Sequence, residues 1–406
     1  MSILSQYEPI VGKNVVEEIR LLAGHLEGKS VQNVNSTAVG GGVAEILNRM
    51  IPLLCELGLD ARWDVIKGGE QFFLVTKAIH NALHGEKVAF TPEMVESFWQ
   101  TSQMNLEHMN CDADIVFIHD PQPIALINQK DKRDNKWIWR CHVDVSAPNE
   151  AVWNFLYQFI IRYDASVFSA PQFSQTLPIP QYMISPSIDP LSDKNRELPE
   201  STIEDVLTRF GIKSDKPIVT QVSRFDFLKD PVGVVQAFRM VKKSIDCQLI
   251  LAGGTATDDP ESDIVLSKVR EEAGDDPDIH VLLLPPGSDI EINALQRASA
   301  VVVQKSLKEG FGLTVAEALW KGRPVVAGAV GGIPLQIKHK YSGMLCHSVE
   351  GAALAIRQIL NNHEFAAMLG RNGREQVRSH HLLTRHLREY LLLFLALYSK
   401  EDVVNL

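Results

Sequence analysis

Apolar residues along this chain alternate between two patterns. Short, nearly continuous runs of Val, Ile, Leu, Ala and aromatic residues occupy 30–36, 61–65, 114–118, 136–141 and 165–169, then 217–222, 247–252, 280–284, 300–303 and 324–327. Between them the apolar positions fall at helical spacing. Over 45–57 they are 46, 47, 50, 53, 54 and 57, and residues 150–162 present a comparable face. Buried runs too short for helices, separated by amphipathic helices, predict parallel βαβ units. The alternation lapses at 185–198, where prolines and charged residues replace it, so this stretch is read as a linker. The reading is an α/β protein of two Rossmann-like domains, 1–190 and 191–382, whose parallel sheets face a central cleft. After Asn362 the pattern is wholly helical and ends in LLTRHLREYLLLFLALYSK. So apolar a helix must bury its face, against its own chain or in a homodimer contact.

Composition narrows the classes. A chain of 406 residues is long enough for two ordinary cores. With 45% hydrophobic and 22% charged residues it is typical of globular proteins, and no run approaches the roughly 18 apolar residues of a membrane helix. The opening MSILSQYEPIVGKNVVEEIR has neither the basic start nor the apolar core of a secretory signal, so a soluble, cytoplasmic protein is expected. A net charge of −10 without a basic block argues against nucleic acid or an anionic membrane as partner. Cys55, Cys111, Cys141, Cys247 and Cys346 lack metal-ligand spacing and read as reduced core thiols. The acidic pairs Asp258–Asp259 and Asp275–Asp276 lie in polar stretches and read as surface, so no obligatory metal is expected.

Candidate chemistry concentrates in QKSLKEGFGLTVAEALWKGRPVVAGAVGGIP, residues 304–334. A buried run ends, Glu309, Gly310, Phe311 and Gly312 form a loop, and a helix begins near Leu313. Glycines let backbone approach a ligand, and the first amides of a helix lack intrahelical acceptors, so this arrangement suits an anion such as a diphosphate. Glu317 lies one turn inside the helix, where a carboxylate suits ribose hydroxyls better than phosphate. After the run at 217–222, VSRFDFLKDP supplies two cations, Arg224 and Lys229. In the first half, Gly40, Gly41 and Gly42 stand between the first run and the next helix. This triplet is a poor match to a dinucleotide fingerprint, lacking its third glycine and ribose carboxylate. IVFIHDPQP carries His119, Asp120 and Gln122, and WRCHVDVSAPN carries Arg140, His142 and Asp144, both just past apolar runs. Polar groups converging there suit a sugar.

EGFGLTVAEAL, with two glutamates eight apart and VGGIP after the following run, is similar to the retaining GT-B glycosyltransferases that include sucrose-phosphate and glycogen synthases. FFLVTKAIHNALHG, with Lys77, Asn81 and His84, resembles the trehalose-forming branch. The resemblance implies a GT-B fold whose last helix, from 383 onward, crosses back to the N-terminal domain. It implies acceptor binding by that domain and donor binding by the other. Arg224 and Lys229 would neutralise the leaving diphosphate, Glu309 would orient the transferred sugar, and Gly41, Gly42 and the Gly310–Leu313 amides would contact the donor. Asp120, Gln122, Asp144 and Asn81 would hold the acceptor, with His142 against the donor sugar. The family usually has glycine after the lysine, where this chain has Asp230. The implied reaction makes trehalose from glucose and UDP-, ADP- or GDP-glucose, magnesium entering only with the nucleotide. A trehalose phosphorylase or other sucrose- or trehalose-type GT-B transferase, and a non-catalytic nucleotide- or sugar-binding protein, are the alternatives.

Overall fold

A computed structural model describes residues 2–38, 42–132, 134–254 and 260–399. Two units emerge, one running to Pro186 and resuming at Leu383, the other spanning Ser187–Leu382. The first holds a parallel six-stranded sheet: β1 (Ser30–Asn35), β2 (Asp60–Val65), β3 (Ile115–His119), β4 (Lys136–Cys141), β5 (Ala165–Phe168) and β6 (Gln181–Met183), ordered β2-β1-β3-β4-β5-β6. Every residue of β3 is buried, as a strand covered on both faces requires. The second unit repeats the plan with β7 (Ile218–Val222), β8 (Gln248–Gly253), β9 (Ile279–Leu283), β10 (Val301–Gln304), β11 (Val325–Gly328) and β12 (Met344–Cys346), ordered β12-β11-β10-β7-β8-β9. In each sheet the order reverses once, between β1 and β3 and between β7 and β10. The crevice beyond the strand ends at such a reversal is where open α/β sheets bind ligands.

The predicted helical stripe at 45–57 lies in the Gly42–Glu56 helix, with Ile46, Leu47, Met50, Leu53 and Leu54 buried. The Leu383–Tyr398 helix belongs to the first unit. It packs on the Lys13–Gly24 helix and sets Tyr390 edge-on to Phe117 of β3 at 4.9 Å. Its apolar face is thus covered by its own chain.

Several expectations change. Cys55 is exposed on the Gly42–Glu56 helix, its thiol donating to the Ala61 carbonyl at 3.3 Å, whereas the other four cysteines are buried as expected. Asp258 and Asp259 lie outside the described residues, and Asp276 is held by Lys242 at 2.5 Å rather than by solvent alone. The boundary between the units, at Pro186 and Ser187, falls inside the polar stretch at 185–198, and the residues after it are fixed by hydrogen bonds. Asn195 is buried, and the Asn293 amide donates to the carbonyls of Asp193 and Arg196 at 2.8 Å. Arg297 adds a bond to the Arg196 carbonyl at 3.0 Å, so the segment loses periodicity because side chains of the second unit satisfy its backbone. Among the described residues no helix is long and apolar enough to cross a membrane.

Candidate active site

In the second unit, the candidate side chains gather where β7 and β10 end. The Leu313–Trp320 helix starts from Gly312, whose φ of +83° is the left-handed conformation glycine adopts without strain. The loop before it is pinned from beneath. Gln336 Nε2 donates to the carbonyls of Phe311 at 2.6 Å and Gly312 at 3.3 Å. Gly331, with φ +52°, lies so close that a Cβ there would stand 1.5 Å from the Glu309 carbonyl oxygen. VGGIP is therefore the underside of the glycine loop.

The cations of this crevice are already paired. Lys229 Nζ meets Glu309 Oε2 at 2.6 Å, and Ser306 Oγ donates to the same oxygen at 3.1 Å. Gln304 Nε2 donates to Ser306 Oγ at 3.1 Å, and Gln221 Nε2 to the Lys229 carbonyl at 2.8 Å. Arg224 is exposed and pairs with Asp226 at 3.0 Å. Lys305, buried just past β10, forms an ion pair with Asp230. Residues assigned to different parts of a ligand, Lys229 and Glu309, thus neutralise one another. Glu317 is buried one turn into the helix. Beside it, the buried Lys321 ammonium donates to Asn195 Oδ1 at 3.1 Å and to the Glu317 carbonyl at 3.2 Å. Burial pulls Lys321 down to about 7 against the opposing pull of the Glu317 carboxylate. Lys305, Ser306, Lys321 and Gln336 escaped the sequence reading. The polar QKS directly after an apolar run was the one visible trace of the first two.

The first unit builds its own cluster at the β1/β3 reversal. His119 Nε2 lies 3.0 Å from Asn33 Oδ1, and His119 Nδ1 lies 3.1 Å from His142 Nε2, with the rings stacked at 5.4 Å. An amide oxygen can only accept, so with Asn33 in this orientation His119 carries its proton on Nε2. His119 Nδ1 then accepts from His142 Nε2–H, which leaves His142 Nδ1 as an acceptor for a hydroxyl. Burial first, and buried Arg140 second, pull His119 down to about 3 and His142 well below its ordinary value, so both rings are neutral. Asp120 adopts a left-handed conformation at φ +65°, its carboxylate accepting from the His142 backbone N–H at 2.8 Å. Burial pushes its pKa up to about 6, against that hydrogen bond and Arg140.

Other predicted residues are placed less centrally. Gln122 Oε1 is buried with no hydrogen-bond partner among the described residues. Asp144 closes a local turn, accepting from Ser146 N–H at 2.9 Å and Oγ–H at 2.6 Å. Asn81 sits in the Glu70–Leu83 helix, where its carbonyl accepts from Glu86 N–H at 3.1 Å, and no hydrogen bond among the described residues ties it to His119 or Asp120. Gly41, like Gly40, lies outside the described residues, and Gly42 is the first residue of its helix.

Comparison with known proteins bears on both units. The family model "Trehalose synthase, N-terminal domain" matches residues 33–175, and "Glycosyl transferases group 1" matches residues 203–376. The chain is similar to a trehalose synthase of Thermococcus litoralis, with 44% identity across 96% of this chain and 95% of the relative. A trehalose phosphorylase of Grifola frondosa is 30% identical over 87% of this chain but only 55% of its own length. Among solved structures, a sucrose-phosphate synthase from Thermosynechococcus elongatus superposes with a TM-score of 0.72, at 19% identity, over 91% of this chain and 99% of its own.

Proposed function

Because the chain belongs to the trehalose synthase family of GT-B glycosyltransferases, we propose that it makes trehalose by moving glucose from a nucleoside diphosphate to free glucose with retained α configuration. The observation that supports a diphosphate donor is the pairing of Lys229 with Glu309 beside the Gly312-capped helix. This places an exchangeable cation next to helix amides, the two kinds of group a diphosphate attracts.

In this reading the arriving diphosphate draws Lys229 from Glu309, and Arg224 from Asp226. The cations and the Gly310–Leu313 amides then stabilise charge growing on the leaving phosphate as the sugar–oxygen bond breaks. Glu309, released from Lys229, accepts from donor hydroxyls, and Glu317 accepts from the ribose. Gly42, the first residue of its helix, offers its backbone to the donor. Asp120, Gln122, Asp144 and Asn81 receive the acceptor glucose, while His142 Nδ1 accepts from a hydroxyl of the donor sugar. The attacking hydroxyl approaches the face that the diphosphate leaves. Its oxygen forms the new bond, and its proton passes to the departing phosphate oxygen. No protein nucleophile and no obligatory metal are required, magnesium accompanying only the nucleotide.

The test is product NMR after incubating glucose with UDP-, ADP- or GDP-glucose, and separately with glucose 1-phosphate. Trehalose and nucleoside diphosphate in equal amounts are expected from the first. Trehalose and phosphate formed only from the second would replace this reading with phosphorolytic chemistry, and no product from either would favour a binding protein. Glu317→Gln, which keeps shape but removes charge, is expected to raise the donor KM about ten-fold with kcat nearly unchanged. An unchanged donor KM in steady-state kinetics would remove Glu317 from the donor site.

A further inference from the structure

Two lysine–carboxylate ion pairs, Lys229–Glu309 and Lys305–Asp230, stand in the crevice of the second unit, and only the first has been given a role. Asp230 directly follows Lys229 and has φ +49° and ψ +50°, a left-handed conformation seen among the described non-glycine residues only at Asp120, Asp230 and Lys340. One carboxylate oxygen caps the Pro231–Lys242 helix, accepting from Gly233 N–H at 3.1 Å. The other is paired with Lys305, which is 7% exposed and arrives from the end of β10. The pair therefore links the loop that carries Lys229 to the loop that leads into Glu309. Removing the cation from Asp230 would leave an unpaired, half-buried carboxylate on the residue next to Lys229, and opposite charges in such surroundings attract strongly.

We propose that Lys305 is a positioning residue for Lys229. By neutralising Asp230 it leaves Lys229 to exchange between Glu309 and the donor diphosphate alone. The inference rests on the proposed diphosphate site and gives Lys305 no contact with the donor. The αL turn sets the geometry, the helix cap fixes one oxygen of Asp230, and Lys305 occupies the other. Lys305 acts by keeping a competing carboxylate occupied.

The experiment is calorimetric binding of the preferred nucleoside diphosphate, and of the nucleoside alone, to the full chain. Lys305→Met is expected to weaken diphosphate binding about ten-fold while nucleoside affinity is unchanged. Asp230→Gly combined with Lys305→Met removes the competing carboxylate. Glycine accepts the left-handed turn and caps a helix nearly as well, so this double variant is expected to return to within about three-fold of wild type. Should Lys305→Met not fold, Lys305→Gln carries the same expectation. Diphosphate affinity unchanged in the single variant, nucleoside affinity falling in step with it, or a double variant as weak as the single one would each overturn the inference. A wild-type protein that binds the diphosphate no more tightly than the nucleoside would instead overturn the diphosphate site, and this inference with it.

Discussion

Lys229→Met is expected to lower kcat about 10²–10³-fold, a loss comparable with removing one preorganised donor from a developing anion. The reason lies in what the ammonium faces before and during reaction. It is neutralised by Glu309 at 2.6 Å, so its charge is committed until a stronger anion competes. Negative charge on the diphosphate grows as the glycosidic bond breaks, so the attraction is greatest in the transition state. The effect should therefore fall on kcat more than on donor KM. Methionine keeps the apolar stem, and Glu309 keeps its bond from Ser306 Oγ, so the fold should persist. Single-turnover rates at saturating donor decide the matter. A drop of only a few fold would place the leaving group elsewhere.

Gly331→Ala is expected to destabilise the second unit by about 3 kcal/mol and to abolish donor binding. Two effects add. The residue has φ +52°, where an L side chain is strained by roughly 1–2 kcal/mol, and the new Cβ would lie 1.5 Å from the backbone oxygen of Glu309. Backbone has no rotamer to yield with, so the Glu309–Gly312 loop must move, an overpacking of roughly 1–3 kcal/mol that also carries Glu309 away from Lys229. Gly322→Ala is the internal control. Its φ is +70°, but the nearest atom to an added Cβ is the Gly370 carbonyl at 4.0 Å, so only the backbone strain applies. Denaturant midpoints measured for both variants should differ by the clash alone, and equal midpoints would show that the loop relaxes freely.

The GT-B fold was legible because its signal is local and repeated. A run such as 115–118 is apolar throughout because both faces of its strand are buried, and a run that short between turn residues suits a buried strand. Strands β6 and β12 were not anticipated. They are three-residue edge segments, Gln181–Met183 and Met344–Cys346, too short to carry a periodicity. The glycine loop could be found because its chemistry is backbone chemistry, and the residues that permit it are adjacent in sequence. Side-chain partnerships were less accessible. Nothing in the sequence pairs Lys305 with Asp230 or Lys229 with Glu309, since each pair joins two strand ends far apart in the chain. Asp144 shows the opposite difficulty. Its sequence position past β4 suits a sugar ligand, yet its carboxylate accepts from Ser146 two residues on.

The Leu383–Tyr398 helix has a consequence for how the protein is born. The first unit is interrupted by the whole of the second, and the Phe117 ring, already edge-on to His119, meets Tyr390 and Phe394 only after the intervening unit has been made. Residues 187–382 are continuous, and a bridge between Ile188 and Leu382 holds their two ends side by side, so this unit can mature on the ribosome as soon as it emerges. The earlier-made unit must keep that seam open until translation passes the Leu383–Tyr398 helix, so the two units complete their cores in the reverse of the order in which they are begun.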